Sequence, residues 1–320
     1  MISDKTKDAA KGKWRGILLS LGLPESCLKD KHGPCPLCGG TDRFRWDNKN
    51  GSGSYICGQC GAGDGMKLAM EFTGRGFRDI CGEIDGLVGN IKFEAPRRAM
   101  TEDDARQLMR EVYAQTVPVQ PGDLVHRYLE SRRIDEMIYP ASLRFGAALR
   151  DGEGGVRPCM VAMVGVYGEM DDRGRQRYAS MHRTFLRPDG GGKADMQSPR
   201  KMMPGELPDG ACVMLSRWTH SGAIGIAEGI ETAMSASAIF GIPVWAAISS
   251  AGLAKWSPPP DAEEVVIFAD NDKKFGGQAA AYALAHRLAV RRGGVSVQVP
   301  TVAGEDWADV HMRKSNEGRA

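Results

Sequence analysis

No stretch of the 320-residue sequence approaches the run of about eighteen consecutive apolar residues that a membrane-spanning helix requires. Neither sign of charge prevails: 42 lysines and arginines stand against 40 aspartates and glutamates, a net charge of +2. With hydrophobic residues at 42%, this excludes disordered, collagen-like and strongly basic tail-like chains, in which apolar content collapses or one sign dominates. The opening Met1-Ile2-Ser3-Asp4-Lys5 lacks the apolar segment of a secretory leader, so an unexported, cytoplasmic protein is expected. A disulfide framework is missing too. Of eight cysteines, Cys35, Cys38, Cys57 and Cys60 crowd into one window, while Cys27, Cys81, Cys159 and Cys212 are scattered. In a reducing compartment the clustered four read as metal ligands and the scattered ones as small apolar side chains. The whole length of 320 residues suits roughly two globular domains of about 150 residues each.

The clustered cysteines form two knuckles, Cys35-Pro36-Leu37-Cys38 and Cys57-Gly58-Gln59-Cys60, separated by eighteen residues. A C-x2-C turn sets two sulfurs side by side on one loop, and two such turns build a tetrahedral thiolate cage for zinc. The spacing is that of a zinc ribbon, and four complete ligands predict a closed, structural site. Redox chemistry is the competing use of a C-x2-C pair. His32 reads as a loop histidine. Between the knuckles, Asp42-Arg43-Phe44-Arg45-Trp46-Asp47 alternates charge and ring, which predicts a strand with Arg43 and Arg45 on one face and Phe44 and Trp46 on the other. The arginine face, with Tyr55, suits either solvent or single-stranded nucleic acid. A helix from Met66 to a stop at Gly74 and another near 78–87 should close this module. The ribbon is expected to lack a core of its own, and residues 89–100 to be a linker.

Thr101 followed by Glu102, Asp103 and Asp104 caps a helix running to about Gln115, and Asp123 caps a second one reaching Arg132-Arg133. This segment reads as scaffold without chemistry. Strands are expected at 159–167 and 178–186, a hairpin carrying eight basic against two acidic residues between 173 and 203. That density suits a phosphate-rich partner or, equally, a solvated face. Further on, a strand at 223–227 ends in Glu228-Gly229, an alanine-rich helix spans 230–240, and another strand covers 243–248. The strand at 265–269 runs into Asp270-Asn271-Asp272, a helix spans 277–292 and a strand follows at 295–299. This alternation predicts a parallel sheet with right-handed crossovers. Ligands gather at the carboxyl ends of such strands, where Glu228, Asp270 and Asp272 all fall. Clustered acids repel unless a cation neutralises them, and oxygen ligands select a hard ion such as Mg2+ or Mn2+. Glu305-Asp306-Trp307-Ala308-Asp309 offers a further acidic corner.

Glu228-Gly229 and Asp270-Asn271-Asp272 resemble the Toprim domain, whose pattern is Glu-Gly after one strand and Asp-x-Asp after another. The Cys-Pro-x-Cys-Gly-Gly-x-Asp-Arg-Phe-Arg run from Cys35 to Arg45, then Tyr128-Leu129-Glu130-Ser131-Arg132, then Toprim, is similar to phage- and plasmid-borne DNA primases of the bacterial DnaG kind. The resemblance spans most of residues 30–312; Cys38 stands where the cellular enzymes carry histidine. It implies a multidomain α/β protein: a zinc-ribbon template-binding domain over 1–98, a helical connector over 99–155, and a Toprim catalytic core over 156–320 that includes the basic hairpin 156–203. It further implies an enzyme that copies single-stranded DNA into a short RNA primer from ribonucleoside triphosphates. In that reading Asp270 and Asp272 hold Mg2+ or Mn2+ on the triphosphate, and Glu228 is a ligand or assists proton removal. Asp306 and Asp309 hold a further ion or cap a helix. Arg183, Arg187, Arg200 and Lys201 are the candidates for phosphate contacts, as are Arg43 and Arg45 on the ribbon. Without a G-x-x-x-x-G-K-[ST] loop in the sequence, a replicative helicase is expected as a separate partner. Toprim domains also serve nucleases and topoisomerases, so a metal-dependent phosphodiesterase is the alternative, and a binding module with an inactive acidic site a third class.

Overall fold

The computed structural model describes residues 2–94, 101–134, 138–219 and 222–317, in two compact units, Met1–Met100 and Thr101–Ala320. Part of the expected linker, residues 95–100, lies outside the described residues, as does the boundary drawn at 98.

In the first unit β1 (Gly33–Cys35), β2 (Gly39–Trp46), β3 (Tyr55–Cys57) and β4 (Gly61–Gly63) form an antiparallel sheet in chain order. The period-two expectation holds along β2: Phe44 and Trp46 are buried, while Arg43 and Arg45 face outward. The ribbon does have a core. Helices α1 (Ile2–Ala10) and α2 (Trp14–Ser20), in a stretch where the sequence reading placed no elements, bring Ala10 from the first and Trp14, Ile17 and Leu18 from the second into one cluster with Phe44, Trp46 and Tyr55. Helices α3 (Gly65–Thr73) and α4 (Phe77–Val88) add Met66, Leu68, Ile80 and Ile84 to the same cluster. Residues 89–94 are not a free linker either, since Ile91 packs on this core and the Glu94 amide donates to the Gly12 carbonyl at 2.7 Å.

The second unit opens with α5 (Glu102–Ala114), whose Thr101–Asp104 capping box is complete, then β5 (Val117–Pro118) and α6 (Leu124–Glu130), capped by Asp123. The segment expected as a helical connector also supplies β6 (Leu143–Arg150). This strand pairs antiparallel with β7 (Val156–Val164), which pairs with β8 (Ser180–Phe185) and that in turn with β9 (Arg200–Met202). The sheet order is β5-β6-β7-β8-β9, so the basic hairpin and the connector are one sheet.

The second sheet comprises β10 (Ala223–Ala227), β11 (Val244–Ala246), β12 (Glu264–Phe268) and β13 (Val295–Gln298), all parallel, in the order β11-β10-β12-β13. Its crossovers are α7 (Ile230–Phe240), α8 (Ser250–Lys255) and α9 (Gly276–Ala289), and α10 (Trp307–Glu317) ends the described chain. The run Ala-Ile-Gly-Ile-Ala suits β10 because a central parallel strand is covered on both faces. Gly225 is there for close packing, since a Cβ would lie 2.6 Å from the Phe268 ring. The segment 212–213 links the two sheets, Cys212 bridging Gly165 just past the end of β7 and Val213 bridging Ala246 of β11, and one core including Met160, Ala162, Ala227, Ala233 and Phe268 spans both. Among the described residues, no helix is long and apolar enough to cross a membrane.

Candidate functional site

The four cysteines of the ribbon converge. Their sulfurs all lie within 4.8 Å of one another, with Cys35 to Cys60 at 3.9 Å and Cys38 to Cys57 at 3.7 Å. A tetrahedron of Zn–S bonds of about 2.3 Å has edges of about 3.8 Å, so the sulfurs already stand at zinc-cage separations. Amides of Leu37, Gln59 and Cys60 donate to the Cys35 and Cys57 sulfurs at 3.4 Å. Burial works to raise the Cys57 thiol, but the amides of Cys60 and Gln59 and the neighbouring thiols outweigh it and lower it to about 7, while Cys60 is raised, chiefly by its thiol contact with Cys38, and Cys35 is raised, chiefly by burial. His32 stays outside the cage, with Nδ1 3.0 Å from the Asp42 carbonyl oxygen.

Of the ribbon's outward arginines, Arg45 is engaged by Asp30 at 3.4 Å and Asp47 at 3.6 Å. Arg43 has no acidic partner among the described residues. Tyr55, expected beside them, is buried: its ring stacks on Phe44 at 5.4 Å and its hydroxyl donates to Glu71 at 3.0 Å. The outward neighbour on β3 is Ile56, paired with Arg45.

In the second unit, register does the gathering. Ala227 pairs with both Ala246 and Phe268, so the chains leaving β10 and β12 emerge side by side and carry Glu228 and Asp270 to the same edge. The Ile248 amide donates to the Glu228 carbonyl at 2.8 Å, and Ser250 Oγ to Glu228 Oε2 at 2.7 Å. The Asp270–Asp272 loop is joined to the loop after β13 by two backbone bonds, Asn271 amide to Glu305 carbonyl at 3.0 Å and Gly304 amide to Asn271 carbonyl at 2.6 Å. Asn271 Nδ2 also donates to the Pro300 carbonyl at 2.8 Å, so the middle residue of Asp-x-Asp fastens the loop. Trp307, packed edge-on against Phe240 and Phe268, anchors the start of α10 and with it Asp306.

The electrostatics record this convergence. Burial first, then the charges of Asp306, Glu228 and Asp272, push the Asp270 carboxyl up to about 7, with Arg200 opposing. Its Oδ1 is buried without a hydrogen-bond partner. Asp306 is likewise raised, chiefly by burial, although its Oδ1 caps α10 by accepting from the amides of Ala308 and Asp309 at 2.7 and 2.9 Å. Asp309 returns the bond by accepting from the Asp306 amide at 3.1 Å and completes a capping box; of the two expected corner ligands, Asp306 points its charge at Asp270. Among the described residues only the cysteines bring three or more ligand atoms within 4.8 Å of one another, so these carboxylates stand farther apart than the sulfurs do. Two non-glycine residues with left-handed backbone, Ile248 and Phe275, sit in the loops beside Glu228 and Asp272. A β-branched or bulky side chain adopts that conformation at a cost that clusters at functional loops.

A third group was not legible in the sequence. Glu231, three residues beyond Glu228 and in the first turn of α7, is buried and accepts from the Tyr128 hydroxyl, while Lys193 Nζ lies 3.1 Å from its Oε1. Burial alone drives this carboxyl upward; the Lys193 ammonium and the Tyr128 hydroxyl overcome it and hold it at about 2. Arg132 lies 5.5 Å from the centre of the Tyr128 ring, and its charge reaches Asp306. The connector therefore delivers Tyr128 and Arg132 to the acidic edge, contrary to its reading as scaffold. The signal was the Tyr-Leu-x-x-Arg run itself, in which Tyr128 sits in the last turn of α6 and Arg132 in the turn that follows it.

The basic residues divide. Arg183 is largely buried, with Nη1 3.4 Å from the Arg150 carbonyl oxygen and its guanidinium over the Phe185 ring, and burial lowers its pKa. Arg187 pairs with Asp189 at 2.8 Å; Lys201 is held by the Asp151 carbonyl at 2.7 Å and by Glu153 at 3.1 Å. Arg200 has no side-chain partner among the described residues and directs its charge toward Asp270.

Residues 30–66 match the zinc-binding domain of primase-helicase, residues 223–317 the Toprim domain, and residues 103–214 a domain of unknown function. Among solved structures the chain is similar to the primase fragment of the bacteriophage T7 primase-helicase protein, at 14% identity and a TM-score of 0.41, covering 89% of this chain and 95% of that one. It is also similar to the zinc-binding and RNA polymerase domains of the Aquifex aeolicus primase, at 14% identity and a TM-score of 0.38, covering 99% and 84%.

Proposed function

We propose that this chain is a DnaG-like DNA primase, a nucleotidyltransferase that copies single-stranded DNA into a short RNA primer. The observation that carries this reading is the presence of a primase-type zinc-binding domain and a Toprim domain in one polypeptide. The rest follows from what the acidic edge can do. Asp270 presents a buried, unpartnered oxygen among like charges, an arrangement that a cation relieves, and an all-oxygen donor set fits Mg2+ or Mn2+. Asp270, Asp272 and Glu228 would hold the ion, which when bound supplies the positive charge that a triphosphate and its leaving pyrophosphate require.

The protein's own residues prepare that chemistry. Ser250 fixes one oxygen of Glu228 and leaves the other free to orient a 3′-hydroxyl. Asp272 Oδ2 accepts from the Gly277 amide at 2.8 Å, which turns its remaining oxygen outward. Arg200 supplies a phosphate contact beside the acids, and Arg43 on the ribbon one for the template backbone. Arg187 and Lys201 are less suited to phosphate, because each already has an acidic partner, and Arg183 because it is largely buried. The four-cysteine cage carries structural zinc. A replicative helicase is the proposed partner, because the zinc-binding domain matched over residues 30–66 is one found in primase-helicases.

The test is incubation of the protein with single-stranded DNA, labelled ribonucleotides and Mg2+ or Mn2+. Labelled products that grow with time and vanish in Asp270→Asn support the primase. Shortening of the DNA without incorporation overturns it in favour of a nuclease.

A further inference from the structure

Immediately after Asp272 the chain presents Lys273, Lys274 and Phe275, all exposed. Phe275 is 70% exposed and has φ 61° and ψ 17°, the left-handed region that glycine adopts without penalty and a bulky side chain does not. It occupies the N-cap of α9, where Ser, Thr, Asp or Asn would cap, and its side chain makes no capping bond. The next two residues are glycines, yet the aromatic occupies the left-handed position. No core contact accounts for it.

The loop is fastened so that this conformation is imposed. The Phe275 amide donates to the Asp272 carbonyl at 2.9 Å, the Gly277 amide to Asp272 Oδ2 at 2.8 Å, and Gln278 Nε2 to Asn271 Oδ1 at 2.8 Å. Neither Lys273 nor Lys274 has an ion pair among the described residues. An apolar ring held in water, two ammonium groups without ion pairs among the described residues and the Asp270 and Asp272 carboxylates thus share one short, fixed loop. A nucleoside triphosphate asks for all three: a flat surface for its base, cations for its phosphates and carboxylates for its metal.

We infer that Phe275 is the stacking platform for the base of the incoming ribonucleoside triphosphate, with Lys273 and Lys274 as its phosphate contacts. The inference rests on the primase reading for the identity of the ligand. Stacking on an aromatic ring tolerates every base, so the platform adds affinity without choosing among the four nucleotides, and template pairing makes the choice.

The experiment compares wild type, Phe275→Trp, Phe275→Ala and Phe275→Gly in the full chain. Three quantities are read: binding of ATP with Mg2+ by titration calorimetry, KM for ribonucleotides in primer synthesis, and thermal stability. Phe275→Ala and Phe275→Gly should weaken ATP binding and raise KM by roughly 5- to 150-fold, with affinity for single-stranded DNA retained. Phe275→Trp should stay near wild type. Phe275→Gly should at the same time melt higher, because glycine relieves the left-handed backbone. Higher melting with unchanged ATP affinity would overturn the platform, leaving a merely strained surface residue. Weakened DNA binding with unchanged ATP affinity would equally overturn it and assign the ring to template. Absence of primer synthesis by the wild-type protein would strike the primase reading instead, and the ATP titrations would still decide the platform.

Discussion

Lys193→Met should be among the most damaging single changes in the second unit, although the residue lies in a polar loop. Its ammonium stands 3.1 Å from Glu231, whose carboxylate is buried and is otherwise held by the Tyr128 hydroxyl and its own backbone amide. Removing one member of a buried pair leaves an uncompensated charge, at about 3–5 kcal/mol. The Lys193 side chain is itself 25% exposed, so water screens part of the interaction and the lower figure applies, about 3 kcal/mol. For a unit of this size that lowers Tm by roughly 6–12 °C. Pairing the change with Glu231→Gln should recover most of the loss, because the orphaned carboxylate is gone. The pH response gives an independent check. In the wild type Glu231 titrates at about 2, below its ordinary 4.5; its contribution is present above pH 4.5 and is lost as pH falls through 2. Without Lys193 the carboxyl's affinity for protons rises above the ordinary value, so the mutant's deficit should shrink as pH falls from 7 toward 5. Calorimetric melting of the two single mutants and the double at pH 7 and pH 5 measures all of this. A deficit under about 1 kcal/mol, or a double mutant no more stable than Lys193→Met, would refute the buried-pair account.

Asp270→Asn should abolish primer synthesis in a folded protein and raise the Tm of the metal-free form at pH 8, since a carboxyl pushed to about 7 is destabilising when ionised; added Mg2+ should stabilise the wild type and not the mutant, as differential scanning fluorimetry would show. Chelation of zinc should strip hydrogen-exchange protection from residues 33–40 and 56–63 while the helices around Trp14 and Ile80 persist, and cooperative loss of those helices would show that the metal supports the whole unit. Replacing Arg200 and Lys201 together should reduce the salt slope of DNA binding by about one rather than two, because Lys201 is already occupied by Asp151 and Glu153; a fall of two would place both on phosphate.

Local chemistry made much of this protein readable in advance. The two cysteine knuckles need only a tight turn each to pair their sulfurs, and the alternation of rings and arginines along β2 follows from the pleat. Glu228 and the Asp270–Asp272 pair end apolar runs of strand length, and Gly241 and Thr101 mark helix boundaries through their own backbone and side-chain bonds. Each of these is settled within a few residues. Tertiary structure decided what depended on partners distant in sequence. Tyr55 reads as an exposed ring until Phe44 and Glu71 claim it; Asp306 and Asp309 look alike until one turns toward Asp270 and the other closes the cap. Lys193, Lys201 and Arg183 counted as free charge in a basic island, and only the packed sheet showed which carboxylates and carbonyls consume them. The pairing of Tyr128 with Glu231, 103 residues apart, leaves no trace in local periodicity, because a buried polar contact is specified by the packing of two elements and not by either one. The sequence determined which residue types stand at the strand ends, and the fold determined which of them meet.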